Sequence, residues 1–482
     1  MVNFFRKLPI DSDLMVLATG RVIQTILSLI ALRVITSVLS VEEVGNYYLL
    51  LAFGFFFSYI LLNPIAMYFS RQLIEWAANG TVLFAYRLFC GAVAIAAFIS
   101  LVISSLLYFF LEYEEKFGFL EFTIVMLGIV SLSVLHRNTL TGINILLSRT
   151  RFILYMIATL AIGLVLASTY AFYFQAEAVY WFYGLLTAEI LTFPFVYRYF
   201  SSRFVLGKGL WRKDESFRPL KIAEFCMPIF GTNIFLWCQL YLYRIIVDER
   251  YGEEILGIIG VAIAIAAAAF AAIENIISQY FYPIYIKKIH NVTKLERAIA
   301  WNNMASQVIP IYMLLAVFLL ATAKSLVIVL ANEKFHDAYV FTMLAVGAEF
   351  FRVMTNLFNY ILHAEYKTKL ALLPYFLGVI FIVSCLIIFD FKDALEGIGW
   401  TLLLGNGIIF ICLFHNVHKV IQIQAKLNLG KLVLLSIPFL VYFGIPKPDY
   451  MLIENVIILA IFGLYFLFAV YLINLDSRKI FT

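Results

Sequence analysis

Apolar stretches of membrane-spanning length recur along this chain from one end to the other, and nothing else in it constrains the fold as strongly. A bilayer core takes about 20 helical residues per crossing. Runs of that order fall near 14–40, 44–70, 81–111, 118–148, 152–174, 177–199 and 219–248. They continue near 254–287, 297–323, 337–364, 369–390, 394–418, 429–446 and 451–475. No interval between them is large enough to fold as a soluble domain. Hydrophobic residues make up 63% of the 482 and charged ones 13%, against roughly half and a quarter in soluble chains. The expectation is an all-α polytopic membrane protein with about 14 transmembrane helices.

The start, "MVNFFRKLPIDSDLMVLATG", has a basic opening but no A-x-A-like cleavage site after its first apolar run, so the first helix reads as retained. The net charge of +5 becomes informative when divided by connection. Basic residues crowd one set: Arg6, Lys7, Arg71, Arg149 and Arg151, then the long 198–221 connection with Lys208, Arg212, Lys213 and Arg218. Lys287, Lys288, Lys367, Lys369, Lys419, Lys431, Arg478 and Lys479 continue that side. The alternate turns are acidic, as at Glu42-Glu43, Glu112-Glu114-Glu115, Glu249-Glu253-Glu254 and Asp390-Asp393-Glu396. The positive-inside rule puts both termini and the long connection in the cytoplasm, which requires an even number of spans.

The stretch "ALRVITSVLSVEEVGNYYLLLA" (31–52) has a counterpart in "YLYRIIVDERYGEEILGIIGVA" (241–262). Arg33 falls against Arg244, and Gly45 against Gly257. Each following helix ends alike: "NPIAMYFSRQ" with Pro64 and Arg71, "YFYPIYIKK" with Pro283 and Lys287-Lys288. Six spans separate the copies, so they share orientation. That implies two six-helix bundles related by an axis along the membrane normal, with two helices left over. The expected boundaries are a first lobe over 1–200, a cytoplasmic linker over 201–218, a second lobe over 219–422, and two additional spans in 423–482.

On these stretches the chain resembles the multidrug/oligosaccharidyl-lipid/polysaccharide (MOP) transporter superfamily. Within it the chain is most similar to Wzx-type flippases of O-antigen and related polysaccharides. The opening does not match the arginine- and glycine-dense start expected of lipid II flippases. The resemblance implies two lobes in a V-shaped arrangement, a central cavity with cationic lining, and translocation of undecaprenyl-diphosphate-linked oligosaccharide. It also implies residence in a bacterial inner membrane, with other polysaccharide-assembly membrane proteins as partners.

Charges at mid-membrane depth cost about 2.5 kcal/mol or more, so they face an interior or a wet cavity. Here they are Arg21, Arg33, Arg137, Arg244 and Arg352 among bases, and Glu189, Glu274 and Glu349 among acids. Arg33 has no acid within one helical turn and lies about 10 Å inward from the outer end at 1.5 Å per residue. With Arg244 on the facing lobe it would attract a diphosphate, since guanidinium forks match phosphate oxygens. The bland alternative is snorkelling to the headgroups. Glu349, Arg352, Asn356, Asn359 and His363 share one helical face, read either as cavity wall or as a self-neutralising Glu349–Arg352 pair. Asn233, Trp237, Tyr241 and Arg244 share another, read as a sugar-facing strip or, for the aromatics, as core packing. Glu274 shares a face with Ser278 and Tyr282, while Glu189 reads equally as a protonated structural carboxyl or an ion site.

"GKGLWRK" lacks the GxxxxGK[ST] spacing of a phosphate-cradling loop, and no HExxH, Cys/His cluster or nucleophile elbow occurs. The five cysteines lie in apolar runs without a CxxC pairing. No cofactor, metal, enzymatic activity or nucleic-acid partner is expected. Energy would come from an H+ or Na+ gradient, with Glu274, Glu349 and Glu189 as carriers, or from removal of product on the far side. Two other functions stand beside this one: an ion-coupled exporter of small molecules on the same fold, which an acidic or apolar cavity would suit better, and a glycan polymerase or ligase, which needs a larger outer loop than any here.

Overall fold

The computed structural model describes residues 12–146, 148–204, 215–289, 292–365, 367–425, 427–445 and 451–477. Arg6, Lys7, Lys208, Arg212, Lys213, Arg478 and Lys479, part of the charge pattern behind the topology, lie outside them. Every long element is helical: α1 (Ser12–Val38), α2 (Val41–Ala78), α3 (Val82–Phe110), α4 (Phe119–Ile145), α5 (Arg149–Tyr173) and α6 (Ala178–Ser201). Then come α7 (219–251) and α8 (253–288), which run into each other at Gly252 (φ 84°, ψ 169°) with no loop between. The rest are α9 (Lys294–Leu330), α10 (Tyr339–Ala364), α11 (Leu372–Ile388), α12 (Ala394–Val420), α13 (Leu429–Gly444) and α14 (Leu452–Ser477). Among the described residues, 12 stretches are long and apolar enough to cross a membrane. One of these is α7 and α8 together, and the shorter α13 stands beside them. The fourteen segments expected from hydropathy are all present as helices, and the chain is a multi-pass membrane protein.

Side chains such as Phe98, Phe110, Phe172, Phe195 and Ile388 are exposed on the outward faces. Apolar area on that scale is stable only against lipid, where a helix satisfies its own backbone. The interior of the first unit is built on aromatic packing instead, with Phe57, Tyr68, Phe69, Trp76, Tyr86, Phe89 and Phe200 all buried in one cluster.

Two compact units divide the chain, Met1–Gly257 and Ile258–Thr482. The division by packing therefore falls after the first turn of α8, not at the 201–218 linker where the repeat would cut the chain. In the first unit α5 lies along α6 and α1, while α7 packs on α2. In the second, α12 lies between α10 and α11, and α9 packs on α10, α13 and α14.

Four helices contain a π turn: Ser58–Leu62 in α2, Gly128–Ser133 in α4, Cys238–Leu242 in α7 and Ile277–Phe281 in α8. Those in α2 and α8 are each followed by a residue and then a proline, Pro64 or Pro283, opening the next helical stretch. A proline ring inside a helix collides with the carbonyl four residues back and lacks an N–H to donate. A π turn shifts the bonding from i+4 to i+5 and admits the ring without ending the helix. The two repeat copies thus share this irregularity as well as their sequence pattern.

Candidate functional site

The polar face of α7 is bonded to the backbone of α2. Asn233 Nδ2 donates to the Tyr59 carbonyl at 2.8 Å, Trp237 Nε1 to the Ala52 carbonyl at 2.9 Å, and Arg244 Nη1 to the Tyr48 carbonyl at 3.4 Å. Asn233 and Trp237 are buried. Tyr59 sits in the π turn of α2, where the widened helix turns a carbonyl outward to be met. The face read as a sugar-facing strip is, for these three residues, the seam that fixes α7 to α2.

Arg244 is 8% exposed. Its guanidinium lies 5.0 Å from the ring centre of Tyr241, 5.1 Å from that of Tyr48 and 5.8 Å from that of Tyr243. Its Nε also donates to the Tyr243 hydroxyl at 3.2 Å. Ring faces and carbonyl dipoles hold this charge, and among the described residues no carboxylate ion-pairs with it. Arg33 is half-buried on α1, and the Thr36 and Ser37 hydroxyls donate to its carbonyl at 3.0 and 2.7 Å. Both arginines belong to the first compact unit. An expectation that set them on opposite lobes meets an Arg244 enclosed within the unit that holds Arg33.

Where α8 begins, two glycines allow a close crossing. A Cβ on Gly45 would overlap the Glu253 carbonyl, and one on Gly257 would overlap that of Val41. These are the two glycines that the repeat aligns. Beside them Lys116, in the turn between α3 and α4, donates to Asp248 at 2.8 Å and Glu253 at 3.0 Å. Burial alone would lower the proton affinity of Lys116, but these two carboxylates outweigh it and raise its pKa above the ordinary value.

The remaining first-unit residues have other partners. Arg21 Nη1 donates to Gln24 at 2.7 Å, and its guanidinium sits 5.8 Å from the Phe152 ring. Glu189 accepts from Ser133 Oγ at 2.5 Å, where the π turn of α4 brings the hydroxyl round. One turn further on, His136, Thr159 and Thr192 form a closed polar group, with His136 Nε2 and Thr192 Oγ1 3.1 Å apart. Arg137 is exposed beside a cavity of about 420 Å³ between α2 and α4.

In the second unit, four of the residues singled out from sequence meet. Arg352 Nε donates to Glu349 at 2.7 Å, and both its Nη atoms reach Glu274 at 3.4 Å. Asn356 Nδ2 donates to the other oxygen of Glu274 at 2.7 Å. Asn359 turns instead to the Tyr375 hydroxyl at 2.9 Å, and His363 is exposed in the last turn of α10. Among the described residues no group of His, Cys, Asp and Glu is arranged to hold a metal ion.

No family model matches the chain, and no curated protein matches it by sequence. Its fold is that of the MOP superfamily. A lipid II flippase, MurJ, in its inward closed conformation aligns with TM-score 0.68 and 12% identity over 97% of this chain and 100% of that one. An inward-facing multidrug-resistance MATE transporter of the MOP superfamily aligns with TM-score 0.58 and 11% identity over 82% and 94%. A MOP superfamily transporter from Pyrococcus furiosus, described as having a binding pocket of reversed polarity, aligns with TM-score 0.53 and 12% identity over 84% and 94%.

Proposed function

We propose that this protein is a flippase for a lipid-linked oligosaccharide, carrying an undecaprenyl-diphosphate-linked glycan from the cytoplasmic to the periplasmic leaflet of a bacterial inner membrane. The fold is that of transporters, and the MurJ neighbour moves a lipid-linked substrate. The observation that carries the reading is electrostatic. Arg21, Arg137 and Arg244 lie within membrane-spanning helices of the first unit, and among the described residues none has a carboxylate ion-pair partner. Uncompensated guanidinium charge attracts an anionic headgroup and repels cationic cargo. Arg33 completes the proposed set of phosphate-attracting residues in the first unit, and Arg352, which faces Glu274 and Glu349, is proposed to attract phosphate in the second only when those acids are neutralised. Asn233 is the neutral polar residue proposed for the first unit, and Asn356, Asn359 and His363 are those proposed for the second. Both termini are cytoplasmic in this reading, and the lobes follow the repeat, 1–200 and 219–422, with 423–482 appended.

The test is deletion of the protein in its host. Undecaprenyl-linked glycan should accumulate on the cytoplasmic face, and Arg33→Ala or Arg244→Ala should fail to restore surface glycan at normal membrane levels. Full restoration by both variants would remove these two arginines from the substrate path. Accumulation of a free small molecule would replace the flippase with the second reading, an ion-coupled exporter. That reading draws on the Glu274–Arg352–Glu349 cluster, where two carboxylates face one guanidinium and a spare H+ or Na+ would be taken up. Glu189, bonded to Ser133, is the corresponding acid in the first unit.

A further inference from the structure

The cavity between α2 and α4 is an open cleft lined by the first unit alone, and its wall carries polar and charged side chains. From α2 it takes Tyr59, Asn63 and Ser70, and from α4 Arg137, Asn138 and Thr141. Its volume of about 420 Å³ falls in the roughly 300–1,000 Å³ range of small-molecule sites. It is flanked by the π turns of both helices, irregularities that recur at functional sites.

Asn138 is 6% exposed, yet its Nδ2 has no hydrogen-bond partner within the protein. An amide left so is destabilising, and native structures rarely keep one without a reason. The next residue back, Arg137, is a cation on the same wall with no ion pair among the described residues. No carboxylate lines the cavity. The Ser58 and Thr141 hydroxyls, also of residues lining the space, donate to the carbonyls of Gly54 and Arg137, so what their oxygens have left to offer is acceptor capacity. The wall therefore offers one fixed positive charge, several N–H donors, hydroxyl acceptors and an aromatic edge.

From this we infer that the first unit carries its own binding site for a hydroxylated ring bearing one anionic group, a hexose phosphate or a hexuronate. The inference deepens the flippase reading and rests on it for the choice of a sugar. The anion pairs with Arg137, the Asn138 amide donates to a ring hydroxyl or to the anion, and the hydroxyl oxygens accept from the sugar. The residues involved lie toward the cytoplasmic end of α2 and α4 in the proposed topology, where a glycan carrier is loaded.

The experiment uses the full-length protein in nanodiscs, with the five native cysteines replaced and a reporter at Ser70→Cys. Sulfonatoethyl methanethiosulfonate should label this position at least several-fold faster than the trimethylammonioethyl reagent. Arg137→Gln should abolish the preference, and Arg137→Lys should keep it. Glucose 1-phosphate or glucuronate should slow labelling, whichever of the two is stronger naming the source of the anion. Glucose and inorganic phosphate should each protect far less. Asn138→Leu should weaken the protection while leaving the unfolding midpoint no lower, because it removes an unpartnered donor. Absence of a charge preference, equal protection by glucose or by inorganic phosphate, or full protection in Asn138→Leu would each overturn the site. Deletion of the protein without accumulation of lipid-linked glycan would remove the flippase reading and leave these labelling results standing.

Discussion

Arg244 and Arg352 are both intramembrane arginines, and the two units compensate them by opposite means. Arg244 is held by three tyrosine rings and a backbone carbonyl, with no carboxylate ion-paired to it among the described residues. Arg352 is held by Glu349 and Glu274, with Asn356 supporting the second acid. Ring quadrupoles and carbonyl dipoles stabilise a cation without cancelling its charge. The first arrangement therefore leaves a permanent positive field. In the second, one guanidinium faces two carboxylates, which cancel its field. A fixed positive field suits attraction of an anion, and the cancelled one does not. The same residue type thus leaves two different local charges, and its neighbours decide which.

The comparison can be broken first at Arg352. Arg352→Ala leaves two carboxylates facing each other out of water, and removing one partner of a buried pair costs about 3–5 kcal/mol. The purified protein should lose that much from its unfolding free energy in detergent. Adding Glu274→Gln and Glu349→Gln to the same chain should recover most of the loss. Failure of that recovery would mean that the carboxylates do not neutralise the guanidinium. Singly, Glu274→Gln or Glu349→Gln should abolish gradient-driven transport while leaving the protein inserted, and gradient dependence retained in both would end their coupling role.

Arg244 comes next in size. Arg244→Ala removes a large side chain from a packed cage, and truncations of that kind cost about 2–3 kcal/mol. Here no acid-to-amide replacement should rescue the variant, because no acid is the partner. Arg244→Lys should fall between, since an ammonium has no planar fork to lie against the rings and reach the Tyr48 carbonyl together. Rescue of Arg244→Ala by neutralising any acid would show a hidden ion pair and make the two arginines alike.

How much of this the sequence disclosed follows from what kind of partner each residue has. The helices announce themselves through apolar run length. Glu349 and Arg352 are three residues apart on one helix, so their pairing is readable from spacing. Glu274 joins them from a different helix, and interhelix rotation is not written in any local pattern. The shared face of Asn233, Trp237 and Arg244 was readable too. Its partners were not, because they are backbone carbonyls, which every residue has and no sequence distinguishes. The π turn that exposes the Tyr59 carbonyl leaves only Pro64 as a trace. Lys116 lies in an otherwise acidic turn, and no local pattern ties it to Asp248 and Glu253, which the fold brings to it.

The glycine crossing offers a smaller and more geometric test. Gly45→Ala or Gly257→Ala places a methyl against backbone, which cannot swing aside as a side chain would. Overpacking of this sort costs about 1–3 kcal/mol. Both glycines serve one crossing, so the double variant should lose less than the sum of the singles. Strict additivity would show that the two contacts relax separately.

The smallest expected effect is at Lys116, and its pH dependence identifies it. Lys116→Met removes the cation from Asp248, whose side chain is 1% exposed, and from the partly solvated Glu253, at about 1–2 kcal/mol near neutral pH. Because the folded protein raises the pKa of Lys116 above its ordinary value of 10.5, it binds that proton more tightly than the unfolded chain does. Stability then falls with pH wherever the folded state holds more protons. The contribution should be complete below pH 10.5 and fade as the pH climbs through the raised value. Other lysines and tyrosines titrate there as well, so the quantity to follow is the difference in unfolding free energy between wild type and Lys116→Met. That difference should be flat from pH 7 to 9.5 and shrink at higher pH. A difference that instead grows with alkali, or one already absent at pH 7, would mean that the turn between α3 and α4 is held to α7 by packing alone.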